Sequence, residues 1–177
     1  MWSLLFHLER VFSSIQLYGS DIEDGRLLYT KDVAIDIKKS GVYADLHPSK
    51  FQELMKFCFP LKEAMYNSIM KPMKQLNLST LEFSYMVAYM MFNVYEVRNL
   101  SDETVTIGEH LLDHFSSELH NYYVFEQHLT SYASRLARML RLISFAKQHS
   151  SHIKDYMIMA KVFDIFICDI YESELFE

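Results

Sequence analysis

Leu5, Leu8, Phe12 and Ile15 recur at helical steps near the amino end, and the pattern predicts an amphipathic helix from Trp2 to Leu17. The following "YGSDIEDG", with two glycines and three acids, breaks it. Two short β-type runs, Leu27 to Tyr29 and Val33 to Ile35, flank the polar "TKD" and predict a hairpin. "HPSKF" then opens a helix from about Ser49, in which Pro60 and Pro72 predict breaks or kinks. Its apolar positions include Met55, Phe57, Cys58, Phe59, Leu61, Met65, Ile69, Met70 and Met73.

The stretch "LSTLEFSYMVAYMMFN" begins with a capping box, Ser79 at the N-cap and Glu82 three residues on. Beyond Glu82 every residue to Phe92 is apolar, aromatic, Ala or Ser, so the pattern predicts a helix buried all round. Asn93 and Glu96 end the run short of the roughly 20 residues a membrane span needs. Ser101 caps a further helix whose Val105, Leu111, Leu112, Phe115, Leu119 and Tyr122 point inward. Another runs from Thr130 to about His152 on a stripe of Leu136, Met139, Leu140, Ile143 and Ala146. A separate run, "YMIMAKVFDIFICDIYESELFE", ends the sequence acidic and aromatic.

Composition narrows the functions this helical pattern can serve. The 177 residues suit one domain with a substantial core, and half of them are hydrophobic. A formal charge of -6 without a basic stripe argues against direct nucleic-acid binding. Two cysteines, Cys58 and Cys168, build no disulfide framework and suit a reducing compartment. "MWSLLFHLER" offers too few apolar residues for a secretory signal, which gives an intracellular reading. The four glycines, at 19, 25, 41 and 108, assemble no phosphate-cradling loop. His110, His114 and Glu118 have metal-compatible spacing, but that row lies opposite the stripe of Leu111, Phe115 and Leu119 and reads as a solvated face. No G-x-S-x-G elbow places a serine nucleophile, so the pattern favours binding over catalysis and calls for no cofactor. Eleven methionines and 15% aromatics fit an adaptable core or an adaptable apolar pocket.

The order of elements resembles the ligand-binding domain of nuclear hormone receptors from the fifth helix onward. "MWSLLFHLERVFSSIQLYG" is similar to helix 5, "DGRLLYTKDVAID" to the β-turn after it, and "PLKEAMYNSIMKPMKQLNLSTLEF" to helices 7 and 8. "LSDETVTIGEHLLDHFSSELHNYY" is similar to helix 9, "SYASRLARMLRLI" to the start of helix 10, and "IYESELF" to the activation helix 12. "LERVF", "YGSDIEDGR" and "ESELFE" resemble the divergent supplementary receptors of nematodes.

The resemblance implies an all-α fold, a three-layer antiparallel helical sandwich with one short β-hairpin. Residues 1–177 would form a partial ligand-binding domain lacking the N-terminal helices 1 to 3, either a fragment of a longer receptor or a truncated product. It implies a structural ion pair between Glu82 and Arg135, and a ligand pocket lined by Phe6, His7, Arg10, Leu28, Tyr29, Cys58, Leu61, Met65, Ile153, Tyr156 and Met157. Coactivator binding would fall to Ile170, Tyr171, Glu174, Leu175 and Phe176, although Glu172 stands where the family motif wants an apolar residue. On the helix equivalent to helix 10, the row Arg138, Leu142 and Phe145 would be free for a dimer partner.

The partners implied are a lipid-like small molecule, a coregulator helix and a homodimer or heterodimer with another nuclear receptor, with no membrane. DNA would be reached only through a zinc-finger domain that needs eight cysteine ligands and is absent here. The function implied is a ligand-regulated transcription factor domain in the nucleus. The alternative is a truncated dimerisation or interaction module that binds no ligand, cytoplasmic if truncation removes its nuclear role; a third reading is a small-molecule carrier or enzyme on a helical bundle.

Overall fold

The computed structural model describes residues 2–39 and 48–165. Those residues are almost wholly helical, with one two-stranded antiparallel sheet, in line with the periodicity of the sequence. No helix among them is long and apolar enough to cross a membrane. The packing divides the chain into two compact units, residues 1–77 with 144–177, and residues 78–143.

In the first unit, helix α1 (Trp2–Tyr18) buries Leu4, Leu8, Val11, Phe12 and Ile15; Leu8, Phe12 and Ile15 belong to the stripe its spacing predicts, whereas Leu5 is only half-buried and Leu4 and Val11 join the covered face. It stops at Gly19, which takes φ +86, a conformation that only glycine adopts cheaply. The hairpin joins β1 (Arg26–Thr30) to β2 (Val33–Asp36), pairing Leu27 with Ile35 and Leu28 with Ala34. The register shifts between Leu28 and Thr30. Ser14, buried in α1, accepts the Leu28 amide at 2.8 Å and so ties the hairpin to the helix.

Helix α2 (Pro48–Met65) runs through Pro60 without ending there, although the sequence predicts a break or kink. A π-helical turn, Tyr66–Met70, follows, and α3 (Lys71–Leu76) begins with Pro72 in its first turn. Proline lacks the amide that would bond four residues back and crowds that carbonyl, and a widened turn just before it relieves both effects. Lys74 of α3 is buried, and its ammonium donates to the Asp21 and Asp24 carbonyls at 2.7 and 2.6 Å. The acidic loop after α1 is therefore pinned to α3, and burial pulls the Lys74 pKa down.

In the second unit, α4 (Thr80–Phe92) starts at the capping box read from the sequence. The Glu82 amide donates to Ser79 Oγ at 3.2 Å, and the Ser79 amide donates to Glu82 Oε2 at 2.8 Å. The prediction that this helix is buried all round is corrected. Glu82, Tyr85, Met86, Ala88 and Met90 are buried, while Leu81, Ser84 and Met91 form an exposed row. Its lack of polar residues reflects weak segregation of faces, and packing on one side only leaves the opposite row open. Helix α5 (Asp102–Asn121) is capped by Ser101, whose Oγ accepts the Thr104 amide. Gly108 lets α5 approach the turn at Val94, since a Cβ there would lie 2.4 Å from Val94 Cγ1.

Helix α6 (Ala133–Val162) extends about ten residues past the end the sequence predicts near His152. "SSHIKDYMIMA" holds neither glycine nor proline, so nothing stops the helix there. Residues 133–143 of α6 belong to the second unit and 144–162 to the first.

Candidate functional site

The second unit is organised around one buried carboxylate. Glu82 is 2% exposed, and the capping box fixes its carboxyl at the start of α4. Arg135, in the first turn of α6, donates from Nε to Oε1 and from Nη2 to Oε2, the latter at 2.7 Å. The Tyr123 hydroxyl donates to Oε1 at 2.6 Å and lies 3.5 Å from Met139 Sδ. Burial alone would raise the Glu82 pKa, but the donors on Arg135, Tyr123 and the Ser79 backbone outweigh it and hold the group ionised. Burial and the neighbouring carboxylate push the Tyr123 hydroxyl up, so it stays a donor. The Tyr132 ring stacks on Tyr123 with centroids 4.6 Å apart. With its acceptors occupied and its partner cationic, this carboxylate is suited to structure rather than proton transfer.

The first unit holds all eleven positions assigned above to a ligand pocket. Three of them meet where α1 faces the hairpin. The Arg10 guanidinium lies 3.7 Å from the Phe6 ring centroid and 4.6 Å from that of Tyr29, and partial burial lowers its pKa. Phe6 and Tyr29 are exposed, so this stack opens to solvent. Met65 and Ile153 are buried, while His7, Leu28, Cys58, Leu61, Tyr156 and Met157 are half-buried. Tyr156 packs its ring 5.2 Å from Phe57. Burial raises the Cys58 thiol pKa, which leaves it a poor nucleophile.

A cleft of about 180 Å³ lies in the same unit, lined by Ala64 and Ser68 together with Phe145, Gln148, His149 and His152 of α6. None of the eleven positions lines it, although several are their helical neighbours. His149 is 6% exposed, and its Nδ1 is buried with no hydrogen-bond partner among the described residues. Burial, helped by the nearby His7 and His152, pushes its pKa down to about 4, so the ring is neutral at physiological pH. The His7 ring centroid is 6.1 Å away. His149 was legible in principle, because it interrupts the stripe of Met139, Leu142, Ile143, Ala146 and Ile153 with a polar group.

The proposed dimer row needs correction at Leu142. That residue is 1% exposed and shares the buried stripe with Met139, Ile143 and Ala146, so its phase on the helix places it inside. Arg138 is exposed and Phe145 half-buried. His110, His114 and Glu118 are exposed. The coactivator positions Ile170, Tyr171, Glu174, Leu175 and Phe176, like Cys168, fall outside the described residues.

Comparison with known proteins bears on this arrangement. A family model described as the ligand-binding domain of nuclear hormone receptor matches residues 1–163. Among curated proteins, Nuclear hormone receptor family member nhr-213 of Caenorhabditis elegans is 24% identical over 181 residues, covering 100% of this chain and 43% of the relative. Nuclear hormone receptor family member nhr-218 of the same organism is 24% identical over 86% of this chain and 39% of its own. Nuclear hormone receptor family member nhr-130, also of that organism, is 28% identical over 71% of this chain and 28% of its own. The chain thus spans less than half the length of these relatives.

Proposed function

The chain belongs to the family of nuclear hormone receptor ligand-binding domains, and on that premise we propose that it acts as the ligand-sensing part of a transcription factor in the nucleus. One observation carries the reading: the eleven positions matched to the family's pocket come from α1, the hairpin, α2 and α6, and all fall in one compact unit. Their chemistry is that of a lipid-like ligand site, with Met65, Leu61, Ile153 and Met157 for an apolar body and Arg10 for a carboxylate or hydroxyl. Ligand occupancy then biases the coregulator-binding segment at 170–176, where Glu174 is suited to the amino end of a coregulator helix. Dimerisation through the exposed side of α6 at Arg138 belongs to the same reading.

The reading is tested with a fluorescent fatty-acid analogue titrated into the purified chain. Saturable binding, displaced by unlabelled fatty acid and weakened severalfold by Met65→Trp, is the expected result. Unsaturable binding, or saturable binding that Met65→Trp leaves unchanged, contradicts the pocket.

A further inference from the structure

Ser20 opens the loop "SDIEDG", with carboxylates one, three and four positions on at Asp21, Glu23 and Asp24. We propose that Ser20 is a phosphorylation site for a protein kinase that selects serines followed by carboxylates, and that the phosphate releases the acidic loop from α3. The sequence narrows the choice. Among its serines and threonines only Ser20, Ser79 and Thr106 have a carboxylate three residues on, and only Ser20 has another at the next position. Ser79 Oγ accepts the Glu82 amide at a helix cap, and Glu82 is buried. The Thr106 hydroxyl donates to the Asp102 carbonyl within α5. Ser20 instead lies in a loop and is exposed, its hydroxyl donating to Asn77 Oδ1 at 3.1 Å.

The surroundings leave the recognition groups accessible. Asp21 is exposed, and the Glu23 side chain is 81% exposed with only a surface ion pair to Lys38, which is weak enough to exchange for the basic groups of an enzyme. A Cβ at Gly19 would meet nothing within 4 Å, so the residue before the hydroxyl borders open space. The loop is held by its backbone carbonyls. Lys74 donates to those of Asp21 and Asp24, Tyr66 to that of Ile22, and Lys38 to those of Ile22 and Glu23.

In the transfer, Ser20 Oγ bonds to the γ-phosphorus of ATP while the bond from that phosphorus to its bridging oxygen breaks. ADP leaves, and the hydroxyl proton passes to a carboxylate of the kinase. The product carries a charge of about −1.5 to −2 at pH 7. It stands beside three carboxylates and at the carboxyl ends of two helices, α1, which stops at Gly19, and α3, which Asn77 caps. Both settings repel a phosphate. The donor to Asn77 Oδ1 is lost as well, which sets acceptor against acceptor. Lys74 offers a countercharge, but drawing its ammonium to the phosphate breaks the two bonds that pin the loop. None of this depends on the lipid-like ligand.

The test incubates the whole chain with a purified acidophilic casein kinase, ATP and magnesium, maps the product by tandem mass spectrometry and follows amide hydrogen exchange. One phosphoryl group at Ser20 is expected, with none at this position's variant Ser20→Ala and severalfold slower transfer to Glu23→Gln. In the phosphorylated chain the amides of residues 21–26 should exchange severalfold faster while those of α5 keep their rates. No transfer to Ser20, transfer undiminished in Ser20→Ala or in Glu23→Gln, a modified loop that exchanges at the unmodified rate, or acceleration shared equally by α5 overturns the proposal. The exchange comparison needs only the unaltered sequence, so misfolding of a variant does not remove the test.

Discussion

Arg135 Nη2 donates to Glu82 Oε2 at 2.7 Å although the two residues stand 53 apart in sequence. The pair joins the first turn of α4 to the first turn of α6, and Glu82 brings the capping box with it. Replacing Arg135 by Met leaves a buried carboxylate facing only neutral donors. Breaking a buried pair costs about 3–5 kcal/mol, and the Arg135 side chain is 29% exposed, so a loss near the lower end, about 3 kcal/mol, is expected in urea unfolding. A loss below about 1 kcal/mol would show that the pair is a bystander.

Gly108→Ala should destabilise the protein although alanine is the better helix former by about 1 kcal/mol. The new methyl meets Val94 Cγ1 at 2.4 Å, and relieving such overpacking typically costs about 1–3 kcal/mol. The same change in a Val94→Ala background should become neutral or stabilising. Equal effects in both backgrounds would mean that the close approach of α5 is unimportant.

Acid should weaken the fold in a defined window. His149 is held neutral with a pKa of about 4 against an ordinary 6.5, so below pH 6.5 the unfolded chain gains a proton that the folded chain does not. The stability conferred by the neutral ring is complete above pH 6.5, falls as pH drops through the window and is gone near pH 4. Between pH 7 and pH 5 the loss is about 2 kcal/mol, from roughly 1.4 kcal/mol per unit below 6.5. Urea unfolding of the native chain and of His149→Leu at both values checks this. A variant with the same slope as the native chain would assign the pH dependence to other histidines. The Glu82 pKa is also lowered, so its stability is lost from the ordinary value of 4.5 downward and the interval between pH 7 and pH 5 is left to His149.

Leu142→Glu is expected to unfold its unit, since it puts a carboxylate at a position 1% exposed. Arg138→Glu changes the exposed side of α6 instead. If that side carries a dimer contact, sedimentation should show a lower apparent mass with unchanged helicity; an unaltered mass assigns no dimer role to Arg138.

The parts of the fold legible in the sequence are those fixed locally. Ser79 and Glu82 announce their helix start because a capping box needs only four residues, and the hairpin follows from alternation around a polar turn. The long-range placement of Arg135 against Glu82 came from resemblance, since no local pattern links them. What escaped depended on tertiary phase and packing. Leu142 lies at the edge of the stripe read from Leu136, Met139, Leu140, Ile143 and Ala146, where spacing alone cannot say which side is covered. The end of α6 carries no stop residue near His152, and the open row of α4 depends on what packs against each side. The cleft carries no signature in Ala64, Ser68 and Gln148, and His149 becomes informative only once its nitrogen is buried without a partner among the described residues.

The central claim, that the first unit takes up a lipid-like ligand, is tested most directly by native mass spectrometry of the whole chain after exposure to a mixture of fatty acids and sterols. The account predicts a single saturable adduct of one lipid per chain, diminished severalfold by Met65→Trp in protein of unchanged helicity. A bare chain at every lipid concentration, or a ladder of non-stoichiometric adducts unaffected by Met65→Trp, would contradict it.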